Sequence, residues 1–271
     1  MKTLDMESVD ITNEEFNLFR TLIYEISGIN LSVEKKILVR SRLAPRLKHY
    51  KMSSYYEYYK YIKGDLGGEL QVSVDLLTTN ETYFFREPKH FDFLREKVLP
   101  QQRGAQLRYW SAASSSGEEA YSLAMTLAEY GRSYDWNVTG TDISTRVVER
   151  AKKGHYPLNR LQDMPTELLH KYCLKGVGSQ EGTFVITPEL RRNVNFIHAN
   201  LKHDQSALGD FDVIFLRNVL IYFDLKTKQQ IVAGILRRLK PKGYLMISHS
   251  ENLHGVTDKV VPLQPSVYQK K

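Results

Sequence analysis

The segment Trp110–Ser122, WSAASSSGEEAYS, decides how the second half of the chain folds. It joins a strand-like run at 107–113, LRYWSAA, to a helical run at 117–130. Its serines and its glycine are small, so a ligand can approach the backbone where the strand ends. In open α/β sheets this carboxyl end of the strands is the usual ligand-binding edge. The segment therefore predicts an α/β domain with a binding loop after its first strand.

The charges of this loop indicate what kind of ligand it takes. It carries two carboxylates, Glu118 and Glu119, and no lysine. Such a loop repels phosphates and suits a cationic or hydroxyl-rich ligand such as S-adenosylmethionine, which has a sulfonium, an ammonium and a ribose diol. The alternative is a tight turn whose acidic residues only stabilise the start of a helix. Both interpretations remain open at this point.

Strand-like and helical runs alternate beyond residue 107, which predicts a mostly parallel sheet with helices on both faces. The expected strands lie at 107–113, 136–141, 194–199, 211–216 and 243–248, and the expected helices at 117–130, 144–153 and 225–239. Residues 172–187 contain three glycines between short β-type runs. They predict an inserted antiparallel hairpin, with the insertion as a whole at about 172–190.

Polar residues follow two further strands of the predicted sheet. Asp142 ends the second strand, where an acidic residue can accept both ribose hydroxyls, although its position alone favours a simple cap of the next helix. Arg217 and Asn218 end a later strand within FLRNVLIYF at 215–223, and Tyr222 follows them. Tyrosine in such an apolar run is commonly a core residue.

The first part of the chain predicts helices. Thr12 and Glu15 form a capping box, and Gly28 is placed to end that helix. A second helix is expected at 33–49, kinked or split by Pro45, and a third begins with Ser53 as its cap. The segment TTNETYFFREP at 78–88 then offers Asn80 and Thr82 as hydrogen-bonding groups and Arg86 as a fork for a carboxylate.

Composition excludes several classes of protein and site. No run approaches the roughly 18 apolar residues of a membrane helix, so no membrane insertion is expected. The N-terminus lacks a secretory signal, so a cytoplasmic protein is expected. Cys173 is the only cysteine, and the eight histidines show no paired ligand spacing, so the sequence predicts no metal site.

The net charge of +7 is concentrated at 31–63, a segment with nine basic residues and only two acidic ones, Glu34 and Glu57. A basic patch of this kind suggests an acidic partner, or it is only a solvated surface.

Taken together, these segments resemble the CheR family of chemotaxis receptor methyltransferases. The resemblance is carried by TTNETYFFREP, WSAASSSGEEAYSLA, GTDIS, FLRNVLIYF and HSEN at 249–252, which occur in family order over nearly the whole chain. It implies a class I S-adenosylmethionine-dependent methyltransferase sheet at 88–271, an all-helical domain at 1–87 folded over the cofactor, and a small antiparallel β-subdomain. It also implies methylation of receptor glutamate side chains during sensory adaptation, by a cytoplasmic enzyme recruited to membrane receptor arrays.

The resemblance also implies roles for individual residues. The cofactor S-adenosylmethionine would be held by Asn80, Thr82, Arg86, Glu118, Asp142, Asn200, Leu201, Arg217 and Asn218. Arg86, on the cofactor's carboxylate, and Tyr222, near the transferred methyl, would be the catalytic residues. The acidic methylation helices of the receptor would dock on Lys35, Lys36, Arg40, Arg42 and Arg46. A C-terminal receptor tail would bind at Lys175, Gly176, Gly178 and Gly182.

Two other functions compete with this one. The first is a methyltransferase acting on nucleic acid, encouraged by a pI near 9.2, although no aromatic stacking platform accompanies the basic patch. The second is a regulatory module that binds S-adenosylmethionine or a receptor without turnover. The complete polar set, which includes Asn80, Glu118 and Asp142, argues against such an inactive site.

Overall fold

The computed structural model describes residues 9–64, 67–102, 106–131 and 135–271. The chain forms two compact units, the first comprising Met1–Thr79 with Tyr222–Asp224, and the second Asn80–Ile221 with Leu225–Lys271. The units thus divide just before Asn80, so that the segment 80–87 belongs to the second unit. No helix among the described residues is long and apolar enough to cross a membrane.

The first unit is helical, as the sequence predicts. Its helices are α1 (Asn13–Ser27), α2 (Lys36–Tyr50), α3 (Tyr55–Lys63) and α4 (Glu69–Leu77). The capping box of α1 is present, with the Glu15 backbone N–H donating to Thr12 Oγ1 at 3.1 Å and the Thr12 N–H donating to Glu15 Oε2 at 2.8 Å. Gly28 ends this helix in the left-handed conformation, with φ of 79°.

Two details of the first unit correct the sequence prediction. Pro45 does not split α2, which runs through it as one helix. Pro45 has no backbone N–H, so the carbonyl of Ser41 lacks its helical hydrogen-bond donor. Both residues are exposed, so water can donate to that carbonyl instead. The cap of α3 is Ser54 rather than Ser53, because its side chain accepts the Glu57 backbone N–H at 3.1 Å.

The second unit is built on a seven-stranded sheet with the order β6-β2-β1-β7-β8-β10-β9. Its strands are β1 (Gln106–Ala112), β2 (Asp135–Asp142), β6 (Val194–His198), β7 (Phe211–Leu216), β8 (Leu239–Ile247), β9 (Val260–Gln264) and β10 (Val267–Lys270). The neighbouring pairs from β6 to β8 are parallel, whereas β10 is antiparallel to both β8 and β9. This is the class I methyltransferase sheet that the resemblance implied. The sequence analysis did not predict β9 and β10.

The helices of this unit are α5 (Lys89–Phe93), α6 (Glu118–Tyr130), α7 (Thr145–Lys153), α8 (Thr166–Tyr172), α9 (Pro188–Arg191) and α10 (Leu225–Arg238). After α5 the chain continues as a π-helical turn, Leu94–Val98. A core of side chains from β1, β2, β7 and α6 fills the interior, and it includes the fully buried Tyr109, Leu123 and Phe215.

The expected insertion is a three-stranded antiparallel sheet rather than a two-stranded hairpin. Its order is β3-β5-β4, with β3 at His155–Pro157, β4 at Cys173–Lys175 and β5 at Thr183–Ile186. β3 was not predicted, because it has only three residues and lies well before its partner β5 in the chain. β4 forms one edge of this sheet, which leaves one of its sides without a strand partner among the described strands.

Candidate active site

Strand order places the candidate site at the carboxyl ends of β1 and β7. Connections leave β1 toward β2 on one side, while β7 lies on its other side. Such a reversal opens a crevice outside the carboxyl ends of the two strands, and ligands of open α/β sheets bind there. The loop after β1, the end of β2 and the residues after β7 all meet at this edge.

The loop after β1 and the end of β2 form one hydrogen-bonded unit, which we call the cradle and define as 113–118 with Asp142 and Ser144. Asp142 accepts the Ser115 backbone N–H at 2.8 Å and the Ser144 backbone N–H at 2.9 Å. Its carboxylate therefore both caps the next turn and ties it to the loop after β1. These bonds agree with the capping interpretation of Asp142, while ribose binding by its carboxylate stays a prediction.

The backbone of the cradle is tightly enclosed. Gly117 has φ of 99°, and a Cβ added there would lie 2.8 Å from Ala151 Cβ and 2.9 Å from Phe196 Cζ. Only glycine fits this position, since side-chain-bearing residues rarely adopt that conformation. Ala113 and Ser115 are also left-handed, with φ of 67° and 49°. Such conformations persist only where surrounding bonds hold them, and they cluster at binding sites.

Several buried polar atoms of the cradle have no hydrogen-bond partner among the residues that the structure describes. They are Ser114 Oγ, Glu118 Oε1 and Ser144 Oγ. Glu118 is fully buried, and only its other oxygen accepts a hydrogen bond, from Ser116 Oγ at 2.7 Å. Burial raises the pKa of Glu118. Because unpaired buried polar groups are costly, this arrangement fits a ligand that brings a cation and hydroxyl donors.

The segment that precedes α5 is attached to the cradle by its backbone. The carbonyl of Asn80 accepts Ser115 Oγ–H at 2.9 Å, and the Phe85 N–H donates to Ser122 Oγ at 2.9 Å. The carbonyl of Thr82 accepts from Arg160 at 2.7 Å. Arg86 is half-buried, donates to the Glu81 carbonyl at 3.0 Å and lies over the Tyr83 ring at 5.6 Å.

The third set of predicted residues follows β6. The Ala199 N–H donates to the Asp142 carbonyl at 2.9 Å, which brings Asn200 and Leu201 to the edge of the cradle. Both are half-buried. Asn200 also shapes its own turn, since its Oδ1 accepts the Lys202 N–H at 3.0 Å.

The residues after β7 lie in a network of charges that the sequence analysis did not anticipate. The Arg217 side chain is 1% exposed and forms ion pairs with Glu119 at 2.9 Å and Glu87 at 3.3 Å. Asn218 is left-handed, with φ of 56°, and its Nδ2 donates to Ser248 Oγ at 2.7 Å. Glu87, Glu119 and Ser248 all lie in or beside the quoted motifs, but their partners are distant in sequence.

Predicted cofactor-binding residues from three segments of the second unit lie in or beside the cradle. Glu118 and Asp142 belong to it, the Asn80 carbonyl bonds to Ser115, and Ala199, next to Asn200, bonds to Asp142. Tyr222 belongs to the first unit, where its carbonyl accepts the Asn30 N–H at 2.9 Å. The individual roles of all these residues in cofactor binding and catalysis stay predictions.

One group of side chains in the described part of the chain has the composition of a metal site. Ligand atoms of Glu87, His90 and His249 lie within 4.8 Å of one another. However, Glu87 Oε2 already accepts the His249 backbone N–H at 3.1 Å and pairs with Arg217 at 3.3 Å. A guanidinium this close neutralises the carboxylate and repels a further cation, so the group is better explained as a hydrogen-bonded cluster.

The comparisons with known proteins agree with this geometry. Residues 80–268 match the family "CheR methyltransferase, SAM binding domain", and residues 14–78 match "CheR methyltransferase, all-alpha domain". Chemotaxis protein methyltransferase 2 of Pseudomonas aeruginosa is 40% identical over 261 residues, covering 95% of this chain and 93% of that protein. The chemotaxis protein methyltransferase of Escherichia coli is 38% identical, covering 97% of this chain and 92% of its own length.

A relative from Borreliella burgdorferi with the same name is 36% identical, and the match covers 97% of this chain and 96% of that protein. The matches therefore span both units, including the cradle and the helices of the first unit. The chain belongs to the CheR methyltransferase family and is an S-adenosylmethionine-dependent methyltransferase.

Proposed function

We propose that this enzyme transfers the methyl group of S-adenosylmethionine to glutamate side chains of chemotaxis receptors and so forms methyl esters. The observation that carries the proposal is the cradle at the switch point of a CheR-family sheet, with its unpaired buried carboxylate oxygen. The names of the relatives supply the chemotaxis context. Glutamate as the acceptor follows from the family resemblance.

The side chains of the cradle match the polar groups of the cofactor. When bound, S-adenosylmethionine supplies an activated methyl group on a sulfonium. Glu118 and Asp142 would accept hydrogen bonds from its ammonium and ribose hydroxyls, and Ser114 and Ser144 offer two further hydroxyls. Arg86 would bind its carboxylate with a two-pronged guanidinium. A cation beside Glu118 would also offset the cost of burying that carboxylate.

The acceptor chemistry makes few demands on the protein. A free glutamate has a pKa of about 4.3, so the nucleophile is already ionised at neutral pH and no general base is required. Holding two reactants in line can supply roughly 7–11 kcal/mol of a barrier. The rate would therefore depend on how firmly the cradle orients the cofactor, and Tyr222 would orient the carboxylate or shape the path of the methyl group.

Helix α2 is the proposed docking surface for the acidic receptor helices. Arg42 and Arg46 are less suited to this role than their charge suggests. Arg42 donates to the carbonyls of Leu76 at 3.1 Å and Thr78 at 2.8 Å, and Arg46 pairs with Glu69 at 2.7 Å. Lys35 and Arg40 are exposed and Lys36 is half-buried, so these three form the narrower docking surface.

The small sheet is the proposed site for a receptor tail. An extended peptide would add a strand to the edge strand β4, using main-chain hydrogen bonds. Lys175, Gly176, Gly178 and Gly182 lie at the end of β4 and in the connection to β5. A Cβ on Gly176 would lie 2.0 Å from the Gln180 carbonyl oxygen, so glycine is required for this loop to close.

Labelled methyl transfer tests the proposal directly. The enzyme is incubated with tritiated S-adenosylmethionine and the cytoplasmic fragment of a chemotaxis receptor, and alkali then releases methanol from any ester. A matched receptor fragment in which the acceptor glutamates are replaced by alanine serves as the control. Alkali-labile label in the first fragment and not in the second is expected. Label on both fragments, or on neither, would contradict glutamate as the acceptor.

A further inference from the structure

The carboxylate of Glu87 connects the segment before α5 to the ends of β7 and β8. Its Oε1 accepts Ser248 Oγ–H at 2.7 Å and Asn218 Nδ2–H at 3.3 Å. Its Oε2 accepts the His249 backbone N–H at 3.1 Å and pairs with Arg217 at 3.3 Å. One half-buried side chain thus holds four donors from two different strand ends.

Arg217 extends this network to the backbone of Arg86. One of its terminal nitrogens donates to the Arg86 carbonyl and the other to Glu119 Oε2. Its guanidinium also lies 5.9 Å from the Phe91 ring centre and 5.7 Å from that of Phe215, in a nearly inaccessible position. Both terminal nitrogens of Arg217 are thus occupied by protein groups, while its buried Nε has no partner among the described residues. The two occupied nitrogens favour a role in which Arg217 supports Arg86.

The electrostatics keep Glu87 ionised. Burial by itself would raise its pKa, but the charge of Arg217 and the hydrogen bonds from Ser248 and His249 outweigh this and hold the pKa at about 2. Burial raises the pKa of Glu119, the other carboxylate on Arg217. Glu87 is therefore the firmer anionic partner of Arg217 at neutral pH.

The backbone around Glu87 has a conformation that needs such support. Phe85 and Glu87 are left-handed, with φ of 55° and 58°, and they flank Arg86 on both sides. Left-handed conformations are unfavourable for residues other than glycine. The Phe85 N–H is held by Ser122, and Glu87 is held through its carboxylate. The conformation of Arg86 is thus fixed from both neighbours.

We propose that Glu87 is a positioning residue for the cofactor, acting through Arg217, Asn218 and the strand ends to hold Arg86 in its binding conformation. The proposal rests on the proposed function only in taking Arg86 as a cofactor ligand. In this proposal Glu87 acts through protein groups, since its carboxylate binds Ser248, Asn218 and the His249 backbone and pairs with Arg217. Without the charge of Glu87, Arg217 would keep Glu119 as its one carboxylate partner among the described residues, and the left-handed turn around Arg86 would lose its anchor.

A double-mutant cycle on cofactor affinity separates positioning from mere stability. Calorimetric titration with S-adenosylhomocysteine is carried out on the wild type, Glu87→Gln, Arg86→Ala and the double variant. Glu87→Gln is expected to weaken binding about 10-fold, and Arg86→Ala at least as much. The double variant should bind no more weakly than Arg86→Ala alone, because Glu87 acts through Arg86. Glu149→Gln, at an exposed ion pair with Lys152, is the matched control and should bind like the wild type.

Losses that multiply in the double variant, or unchanged affinity in Glu87→Gln, would overturn the proposal. If Glu87→Gln does not fold, Ser248→Ala replaces it, because this variant removes one hydrogen bond from Glu87 and leaves every charge in place. Ser248→Ala should weaken binding of S-adenosylhomocysteine about threefold, and adding it to Arg86→Ala should cause no further loss. A further threefold loss in that double variant would refute the role of Glu87. A wild type that binds S-adenosylhomocysteine but methylates no receptor would remove the proposed acceptor, while the cycle would still decide the role of Glu87.

Discussion

The arginines of helix α2 and the acidic residues of the cradle look equally available in the sequence but differ in how their atoms are used. Within the described residues, Arg42 and Arg46 of α2 donate to carbonyls and a carboxylate of their own unit. In the cradle, by contrast, Ser114, Glu118 and Ser144 keep buried atoms without a partner. A concentration of charge therefore does not by itself indicate a binding surface. The bonds that the fold leaves unmade are the better guide.

The largest effect is expected where a charge of α2 is structural. Arg46→Ala would leave Glu69, which is buried, without its cation, although Tyr50 and Tyr58 would still donate to it. Because Arg46 is 25% exposed, the loss in the free energy of unfolding should lie at the upper end of the roughly 1–3 kcal/mol that an unpaired buried polar group costs. Chemical denaturation measures the loss. Arg40→Ala is the control, since its pair with Asp10 is exposed and should contribute little to stability. If Arg46→Ala and Arg40→Ala lowered the free energy of unfolding equally, Arg46 would be no more important for stability than Arg40.

A smaller but specific effect is expected in the cradle. Asp142→Asn keeps the size of the side chain and one acceptor oxygen but removes the charge that would accept the ribose hydroxyls. Hydrogen bonds to charged groups contribute about 1.5–3 kcal/mol, so affinity for S-adenosylhomocysteine should fall roughly 10- to 100-fold. Titration calorimetry measures this, with Asp135→Asn at the exposed start of β2 as the control. Wild-type affinity in Asp142→Asn would reduce Asp142 to a helix cap.

The elements of the sheet were predictable, but the partners of the charged residues were not. The hydrophobic periodicity and the small residues after Ala112 predict β1, α6 and β2. Because ligands of open α/β sheets bind at the carboxyl ends of the strands, Asp142 and Arg217 were expected at that edge, and they lie at the ends of β2 and β7. β9 and β10 were not predicted, because β10 pairs with β8 and β9 pairs with β10, and local patterns do not encode such pairing. The ion pairs Arg46–Glu69 and Arg217–Glu119 were not predicted either, because the spacing of residues in the sequence does not show which carboxylate lies opposite an arginine.

The cluster beside Arg217 predicts a dependence of stability on pH. Burial, together with the charges of Arg217 and His249, lowers the pKa of His90 to about 3, against the opposing effect of Glu87. In the unfolded chain a histidine binds a proton at a pKa of about 6.5. The unfolded state thus takes up the proton first as pH falls, and stability declines from about pH 6.5 toward pH 3. Between pH 7.5 and 5.5 His90 should account for about 1 kcal/mol of that decline.

Urea denaturation at these two pH values tests the histidine. His90→Asn should flatten the decline by that amount, and His254→Asn at an exposed position is the control. If the wild type and His90→Asn lose the same stability on acidification, His90 is not the group that resists protonation in the folded state.

The smallest effect is expected on the exposed side of α2, where it concerns the receptor rather than the fold. Lys36 donates to Asn13 at 2.9 Å and Arg40 pairs with the exposed Asp10, so neither is needed to neutralise a buried charge. Lys36→Glu with Arg40→Glu should raise the KM for a receptor fragment several-fold at low salt, with unchanged kcat and affinity for S-adenosylhomocysteine. Because exposed charges are screened beyond a Debye length of about 8 Å at physiological ionic strength, the difference should shrink as salt is added. Lys226→Glu with Lys259→Glu makes the same change in net charge at exposed positions of the second unit. An equal rise in KM in that control would show that overall charge, and not α2, attracts the receptor.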